Sequence, residues 1–478
     1  MPDDLSVRPA MPGVGDLPVV VIGAGPVGLA AAAHLIARGI TPVVLEAGAA
    51  IGASVRAWGH VRMFSPWRYN IDATVRVLLE AEFWQAPDPE EYPTGADLVA
   101  RYLEPLARVA AMARAIRLGA RVVGVARAGH DLMRDGARET APLIVQIADC
   151  DGAVSEITAA AAIDCSGTWT SPKPAGAHGL PAPGEARAVD RIAYGIPDVL
   201  GAARFDYEGQ STLVVGGGHS AMNAVLDLAA LARQSVGTRI LWAFRRPLDE
   251  INFGGGAADG LAKRGALGAR ARALTETGGV TALAPFLVAS IGQTDAGRLT
   301  VTSLDGQTVI VDRIIVAAGF RPDLSFLGEV RLRLDPAVQC TPALAPLIDP
   351  NIHSCGTVRP HGEAELRHPE RNLWIAGMKS YGRAPTFLMA TGHEQVRSIV
   401  AALAGDWAAA RRVELELPET GVCSGGGDVA AEEACCTPVT AQGVCCAPKA
   451  DLPAAAACCP APAPALAMAA PAKGGCCG

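Results

Sequence analysis

The chain has 478 residues, of which 50% are hydrophobic and 19% charged, and its formal net charge is −7. This length accommodates two or three domains and a large buried core. The negative charge and the absence of Lys/Arg runs argue against a nucleic-acid surface.

Residues 1–17 form an N-terminal extension that lacks the apolar core of a signal peptide. Residues 17–37 carry no charge, but glycines and a proline interrupt the run. A strand, a turn and a helix therefore explain this run better than a membrane span. Nine of the thirteen cysteines lie after residue 420. We expect a protein of the reducing cytoplasm, where disulfides are rare.

The first nucleotide motif follows a short apolar strand and reads Gly23-x-Gly25-x-x-Gly28. It opens an Ala/Leu-rich helix, and Pro26 suits the first helical turn. The next strand ends in Glu46, which lies 18 residues (46 − 28) after the last glycine. Such glycines let a pyrophosphate approach the helix N-terminus, and the acid accepts hydrogen bonds from a ribose. The order of these features predicts an FAD site.

A second motif, Gly216-x-Gly218-x-Ser220, follows another apolar strand and opens another helix. Here the next strand ends in Arg245 and Arg246 instead of an acid. A carboxylate would repel the 2′-phosphate of NADPH, whereas a guanidinium can bind it through two hydrogen bonds. The second motif therefore predicts an NADPH site, although a solvated strand end would also carry arginines.

Two further strands, residues 161–167 and 313–323, end in small-residue turns that contain Gly167 and Gly319. Strands of this kind suit the places where the chain passes between two dinucleotide domains, so both glycines are expected to border the cofactors. The glycine-rich stretch 251–265 follows the second motif. It is either a mobile loop over the nicotinamide or a surface insertion.

The pattern predicts an α/β fold with two Rossmann-like dinucleotide-binding domains, for FAD and NADPH, the second inserted in the first. A cysteine-rich tail that we expect to be disordered follows them. The predicted boundaries are 1–17 for the extension, 18–170 and 321–411 for the two parts of the FAD domain, 208–320 for the NADPH domain and 412–478 for the tail.

Over residues 18–420 the chain resembles the flavoproteins with two dinucleotide domains, and among them the NADPH-dependent flavin monooxygenases. Residues 52–67 look like the Gly-Gly-x-Trp segment of that family, which implies that Gly52, Ala53 and Trp58 approach the flavin. Ala47 and Val123 are further predicted cofactor contacts. The stretch 191–201 lacks the histidine of the family's Phe-x-Gly-x-x-x-His signature, which argues against Baeyer–Villiger activity.

Three segments, residues 344–362, 377–401 and 417–423, more closely resemble flavoproteins encoded in bacterial arsenic-resistance gene clusters, whose relatives include methylarsenite oxidases. The resemblance implies that residues 384–388, with Pro385 and Thr386, face the isoalloxazine ring. It also implies that Gly377, Met378 and Lys379 lie at the diphosphate or ribityl end of FAD.

Cys355 lies between His353 and His361 in a segment that this resemblance includes. Thiolate and imidazole bind thiophilic centres, so Cys355, with Cys340 as a second thiol, is a predicted substrate site. The alternative is that Cys355 is a small buried residue after a strand.

The tail, residues 412–478, loses aromatic residues, gains Ala, Pro and Gly, and contains four pairs of adjacent cysteines. Adjacent Cα atoms are only about 3.8 Å apart, which is too close for an unstrained disulfide. Neighbouring thiolates suit a soft, thiophilic centre, and the chain has no CxxC spacing typical of zinc or thioredoxin-like sites. The predicted metalloid-capturing residues are Cys435, Cys436, Cys445, Cys446, Cys458, Cys459, Cys476 and Cys477.

Together these features predict an FAD- and NADPH-dependent monooxygenase that oxidises a soft nucleophile, a trivalent arsenical above all, to its pentavalent form. The small-molecule substrate and O2 are the expected partners, with no nucleic acid and no membrane. Two alternatives stay open. One is a flavin-dependent thiol/disulfide or metal reductase that uses the tail cysteines, and the other is a non-enzymatic metalloid-binding protein.

Overall fold

The computed structural model describes residues 16–254, 256, 259–351, 360–384 and 387–415. The strands are β1 Val19–Ile22, β2 Pro42–Leu45, β3 Ile116–Arg117, β4 Arg121–Arg127, β5 Leu143–Ala148, β6 Val154–Ala159, β7 Ala161–Asp164, β8 Ile192–Tyr194, β9 Ser211–Val215, β10 Arg239–Ala243, β11 Thr281–Leu283, β12 Val288–Gln293, β13 Leu299–Ser303, β14 Thr308–Val311, β15 Arg313–Val316 and β16 Leu373–Ile375. The α-helices are α1 Pro26–Ala37, α2 Ala53–Ala57, α3 Ala73–Glu80, α4 Gly95–Leu98, α5 Glu104–Arg108, α6 Ala110–Ala115, α7 Arg204–Tyr207, α8 His219–Ala232, α9 Ala262–Glu276, α10 Ala345–Ile348, α11 Met389–Leu403 and α12 Trp407–Arg411.

The first dinucleotide unit is built on a parallel sheet in the order β16–β7–β1–β2–β3. Ile22 pairs with Leu45 on one side and with Asp164 on the other, so these three strands end at the same edge. All four residues of β1 are buried, as in parallel strands with both faces covered. Because β16 follows the second unit in the chain but joins this sheet, the second unit is inserted in the first.

The second dinucleotide unit is built on another parallel sheet, in the order β11–β10–β9–β15–β8. Val215 pairs with Ala243 and with Val316, so β9, β10 and β15 also end at one edge. Each unit also contains an antiparallel three-stranded sheet, β4–β5–β6 between β3 and β7 of the first unit and β12–β13–β14 between β11 and β15 of the second.

Helix α1 is the central helix of the first unit, and nine of its residues are buried. It packs between the parallel sheet and α11, whose Val396, Ile399 and Val400 belong to the same apolar cluster. Its run of alanines keeps the helix narrow, so its backbone can lie close to both neighbours. The position of α1 is therefore fixed by packing along most of its length.

The chain passes twice between the units, and the two passages pair with each other. Lys173 N donates to Gly319 O at 2.9 Å, and Arg321 N donates to Ser171 O at 2.8 Å. The rings of Trp169 and Phe320 stack at 4.9 Å. In the part of the chain that the structure describes, no helix has the length and apolar character needed to cross a membrane.

Candidate cofactor and active site

The first glycine turn, residues 23–28, connects β1 to α1. Gly23 has φ +99°, and a Cβ there would lie 2.9 Å from the Cα of Ser166. A Cβ on Gly28 would overlap the carbonyl oxygen of Gly23. A Cβ on Gly25, in contrast, would meet no atom within 4 Å. Two of the glycines are therefore required by the fold itself, while Gly25 borders open space at the start of α1.

The N-terminus of α1 has no side-chain cap, and Gly25 stands at its N-cap with Pro26 following. Glu46, at the end of β2, lies beside this turn: one carboxylate oxygen accepts from Ala24 N and the other from Gly48 N, each at 2.8 Å. A carboxylate oxygen can accept more than one hydrogen bond. The turn thus places a helix N-terminus without a side-chain cap beside an anchored carboxylate.

The second glycine turn repeats this geometry. Gly216 has φ +135°, a Cβ there would overlap the carbonyl oxygen of Ala317, and Trp242 Nε1 donates to Gly216 O at 2.7 Å. Gly218 is the N-cap of α8, which has no side-chain cap, and its Cβ position is open within 4 Å. Ser220 lies in the first turn of α8. Both units therefore present an open, uncapped helix N-terminus.

The two units differ at the next strand end. In register, Glu46 follows Leu45 of β2, and the corresponding position after Ala243 of β10 is the buried Phe244. Arg245 and Arg246 come next and are exposed. The acid of the first unit thus has no counterpart in the second, where two guanidinium groups follow instead.

The loop after β7 is held by a buried ion pair. Lys379 Nζ lies 2.9 Å from Asp164 Oδ2 and 2.6 Å from Ser166 Oγ, and both charged side chains are at most 2% exposed. Ser166 approaches Gly23, so the pair fixes one wall of the first glycine turn. The ammonium group of Lys379 is therefore paired with Asp164, and Lys379 positions this loop.

Gly377 has φ +73° and begins a 3-10 helix that ends at Tyr381. Its N–H donates to Oε1 of the fully buried Gln395 at 2.7 Å. Nε2 of Gln395 is 2.9 Å from Ser380 Oγ and 2.9 Å from His361 Nε2. Sequence reasoning missed Gln395 and Asp164; a polar residue on the buried face of α11 and an acid ending an apolar strand were the available signals.

Gly52, Ala53 and Trp58 lie together around α2. Gly52 is its left-handed N-cap, with φ +63°, and donates from its N–H to Ala24 O at 2.9 Å. Trp58 ends the helix, and a Cβ on Gly95 would lie 2.7 Å from its ring. Trp58 is thus packed against α4. Gly52, at the other end of α2, connects this helix to the first glycine turn.

The remaining predicted cofactor residues occupy several places. Gly167 and Gly319 have φ of +70° and +90° in the two passages between the units. Ala47 is exposed after β2, and Val123 is 40% exposed in β4. Pro385 and Thr386 lie outside the described residues, as do Cys355 and the paired cysteines of the tail.

Cys340 does not provide the accessible thiolate that a substrate ligand requires. It is buried, its Sγ donates to Thr341 O at 3.5 Å, and burial raises the pKa of its thiol to about 12. The thiol is therefore shielded from solvent, which argues against a role as a substrate ligand.

The first unit contacts the start of α8 in the second. The ring of Phe64, in the loop after α2, lies 5.5 Å from the ring of His219, the first residue of α8. Lys263 Nζ lies 5.6 Å from the Tyr92 ring. Burial and the charge of Arg264 lower the pKa of His219. The loop that follows Trp58 therefore reaches the N-terminus of α8.

Comparison with known proteins relates the first unit to a family of flavoproteins. Residues 18–166 match the family model described as FAD dependent oxidoreductase. The first dinucleotide unit is therefore similar to that family over these residues. Its open Gly25 turn, uncapped α1 N-terminus and Glu46 carboxylate fit the pyrophosphate and ribose of FAD.

Two curated relatives are similar to parts of the chain. The Arabidopsis thaliana protein "Flavin-containing monooxygenase FMO GS-OX-like 2" is 26% identical over 238 residues, which cover 45% of this chain and 48% of that protein. "Indole-3-pyruvate monooxygenase YUCCA1" of Oryza sativa subsp. japonica is 37% identical over 108 residues, covering 22% and 23%. The chain thus spans about half or less of the length of these relatives.

Solved structures resemble the chain over most of its length. Bacillithiol disulfide reductase Bdr (YpdA) from Bacillus cereus aligns with a TM-score of 0.58 at 20% identity, covering 81% of this chain and 98% of that one. A flavin-containing monooxygenase from Stenotrophomonas maltophilia aligns with 0.50 at 21%, with the same coverage. The predicted α/β fold is confirmed by these structures, and the family match of residues 18–166 agrees with the predicted FAD cofactor.

Proposed function

We propose that this protein is an FAD- and NADPH-dependent monooxygenase that oxidises a trivalent arsenical to its pentavalent form. The observation that carries the proposal is the pair of open glycine turns, one in each unit, of which only the second is followed by arginines in place of an acid. The similarity to two curated monooxygenases supports oxygenation. The vicinal cysteines and the resemblance to arsenic-resistance flavoproteins support the substrate.

Each nucleotide has its own set of binding residues in this proposal. The N-terminus of α1 and the Glu46 carboxylate hold FAD. The N-terminus of α8 binds the NADPH pyrophosphate, and Arg245 with Arg246 binds its 2′-phosphate. Bound FAD supplies hydride acceptance from NADPH and the activation of O2.

Atoms and electrons balance in the proposed reaction. NADPH and arsenic each give up two electrons, and O2 accepts all four. One oxygen atom becomes bonded to arsenic, and the other leaves as water with the hydride-derived proton and one proton from solution. Trivalent arsenic carries a lone pair, so it needs no side-chain base for activation. The protein therefore has to orient the substrate and keep water from the reacting atoms.

A substrate panel tests this function. NADPH oxidation is followed at fixed O2 with methylarsenite, an organic thioether and an organic disulfide, using the full-length FAD-loaded protein. We expect the highest kcat/KM with methylarsenite, and chromatographic separation of arsenic species should show the pentavalent product. The substrate assignment fails if the thioether is preferred or if no pentavalent arsenical forms.

The tail cysteines also favour a second candidate, a reductase in which they carry electrons between flavin and substrate. This candidate predicts disulfide- or metal-dependent NADPH oxidation that continues without O2. An anaerobic assay with the same panel separates the two functions, because the monooxygenase cannot turn over without O2.

A further inference from the structure

A buried amide connects the 3-10 helix Gly377–Tyr381, which we call the Gly377 turn, to a histidine. Gln395, on α11, is fully buried. Its amide group lies 2.7 Å from Gly377 N, 2.9 Å from Ser380 Oγ and 2.9 Å from His361 Nε2. The cofactor sites proposed above use neither Gln395 nor His361.

The chemistry of these groups fixes the direction of every hydrogen bond in the network. A backbone N–H can only donate, so Gln395 Oε1 must face Gly377, and the amide NH2 must face Ser380 and His361. The Ser380 hydroxyl donates to Gly377 O at 2.7 Å, so its oxygen is able to accept from the amide. His361 Nε2 must then also accept, and an imidazole nitrogen accepts only when it carries no proton. The network therefore requires a neutral His361.

Protonation of His361 is incompatible with this network. A proton on Nε2 would oppose the amide NH2 of Gln395, 2.9 Å away. Turning the amide over would present its oxygen to His361, but it would also present NH2 to the N–H of Gly377. A buried N–H without an acceptor is destabilising, because its lost hydration is not replaced. Gly377 can keep its hydrogen bond or His361 Nε2 can keep a proton, but not both.

The Gly377 turn contacts both α1 and the first glycine turn. A Cβ on Gly377 would lie 3.4 Å from Val27, in the first turn of α1. Two residues further on, Lys379 Nζ is paired with Asp164 and lies 2.6 Å from Ser166 Oγ, at the wall of the glycine turn. Displacement of the Gly377 turn would therefore move the residues that border the predicted position of the FAD pyrophosphate.

His361 lies on the wall of a cavity of about 170 Å³ between residues 360–367, α11 and α12. This volume is large enough for water, which can bring protons to the ring. The charged residues that line the cavity are Glu363, Glu365, Arg367, Glu394, Arg411 and Arg412. Glu363 is paired with Arg367, and Glu394 with Arg397. On the side of the Gly377 turn, the Tyr381 ring lies 5.5 Å from the His361 ring.

We propose that Gln395 is a positioning residue that makes FAD binding depend on the protonation state of His361. The neutral histidine allows Gln395 to hold the Gly377 turn against the FAD site, and the protonated histidine displaces the turn. The inference rests on the proposed FAD site and requires neither the arsenical nor NADPH. FAD affinity should be full at high pH and fall as the pH decreases through the range in which a histidine ordinarily takes up a proton, about pH 7 to 6.

The test measures the FAD dissociation constant of the full-length, FAD-loaded protein from the fluorescence of released flavin. The two conditions are about pH 8 and about pH 5.5, on either side of the ordinary histidine range. We expect the wild type to bind FAD about tenfold more weakly at the lower pH, as for the loss of one buried hydrogen bond. Circular dichroism at both pH values checks that each protein is folded.

Two variants separate the histidine from the amide. His361→Gln cannot take up a proton and should bind FAD equally at both pH values. In Gln395→Glu, one carboxylate oxygen can accept from Gly377 N and the other from a protonated His361. This variant should bind FAD at least as tightly at the lower pH as at the higher one. His130→Gln, which changes a histidine of the β4–β5 loop, is the matched control and should keep the pH dependence of the wild type.

The pH profiles distinguish positioning from a purely structural role. If Gln395 only supports the fold, both variants should lower FAD affinity by the same factor at both pH values, and that result would overturn the proposal. Wild-type affinity that does not change with pH, or pH dependence that persists in His361→Gln, would overturn it as well. A wild type that binds no FAD at either pH would refute the FAD site itself, and the inference with it. None of these readouts requires turnover, so failure of the monooxygenase assignment is detected separately by the substrate panel.

Discussion

At Gly25 the fold itself leaves room for a side chain, so in the proposal it is the bound FAD that requires glycine there. Its φ of −82° is open to any residue, and its Cβ position has no neighbour within 4 Å. Gly25→Val should therefore fold normally but lose FAD, because the branched side chain would occupy the space of the pyrophosphate. Flavin absorbance per protein after purification, together with circular dichroism, measures both outcomes.

Two glycine variants serve as controls for Gly25→Val. Gly218→Val makes the same change at the equivalent position of the second turn and should retain FAD while weakening NADPH binding. Gly28→Ala, in contrast, should damage the fold, because its Cβ would overlap Gly23 O. Normal FAD content in Gly25→Val would show that the first motif does not bind the pyrophosphate.

Asp227, on α8, makes stability depend on pH. Burial raises its pKa from 3.8 to about 6, and the charge of His60 opposes this shift. The folded state therefore holds the proton more tightly than the unfolded state does, and the stability it contributes is full below about pH 4. It is lost as the pH rises to about 6, by at most about 3 kcal/mol for a shift of about two pKa units.

Asp227→Asn removes this titration. The variant should have a higher urea midpoint than the wild type at pH 7, and the gain should vanish near pH 4. The control Asp295→Asn changes an exposed aspartate and should leave the urea midpoint unchanged at both pH 7 and pH 4. A gain that is constant with pH, or a loss at pH 7, would contradict the assigned pKa.

At the scale of elements, we propose that the end of β10 selects NADPH over NADH. Because Phe244 occupies the position that Glu46 has in the first unit, no acid stands there to repel a phosphate. Changing Arg245 and Arg246 together to Ala should weaken NADPH binding about 10- to 100-fold, as expected for lost charge-assisted hydrogen bonds, and leave NADH nearly unaffected. Steady-state KM values for both nucleotides give the comparison.

Equal losses for NADPH and NADH would refute the assignment of the two arginines. Arg239→Ala is the matched control, because Arg239 is exposed at the opposite end of the same strand. It removes one positive charge from the second unit without touching the carboxyl edge of the sheet, so it should leave the KM of both nucleotides unchanged.

The elements most accessible to sequence reasoning were those set by local chemistry. The glycine turns and the two helices that they open follow from steric requirements at Gly23, Gly28 and Gly216, which the sequence displays directly. The Asp164–Lys379 ion pair was not predictable, because its partners are separated by 215 residues. The whole second unit lies between them in the sequence. Burial of Cys340 was missed for the same reason, since its surroundings come from distant segments.

At the scale of the whole molecule, the tail and the folded units have separable roles in the proposal. Truncation after Leu417 should retain FAD and the turnover at saturating arsenical, because both glycine turns and both passages precede that residue. At low arsenical concentration the truncated protein should be slower, since tethered thiols raise the local substrate concentration. Rates measured against methylarsenite concentration for both proteins provide the test, and alkylated full-length protein is the control.

Loss of activity at every concentration in the truncated protein would instead favour the reductase. Identical curves for the two proteins would show that the tail takes no part in substrate delivery. Neither result would affect the assignment of the nucleotide sites.

The most direct test of the central claim is the stoichiometry of one turnover. NADPH consumed, O2 consumed and pentavalent arsenical formed are measured together, with catalase present to reveal any release of hydrogen peroxide. A monooxygenase of trivalent arsenicals predicts equal amounts of all three and no O2 return on adding catalase. NADPH oxidation that needs no O2, or O2 consumption that yields hydrogen peroxide without pentavalent arsenical, would contradict it.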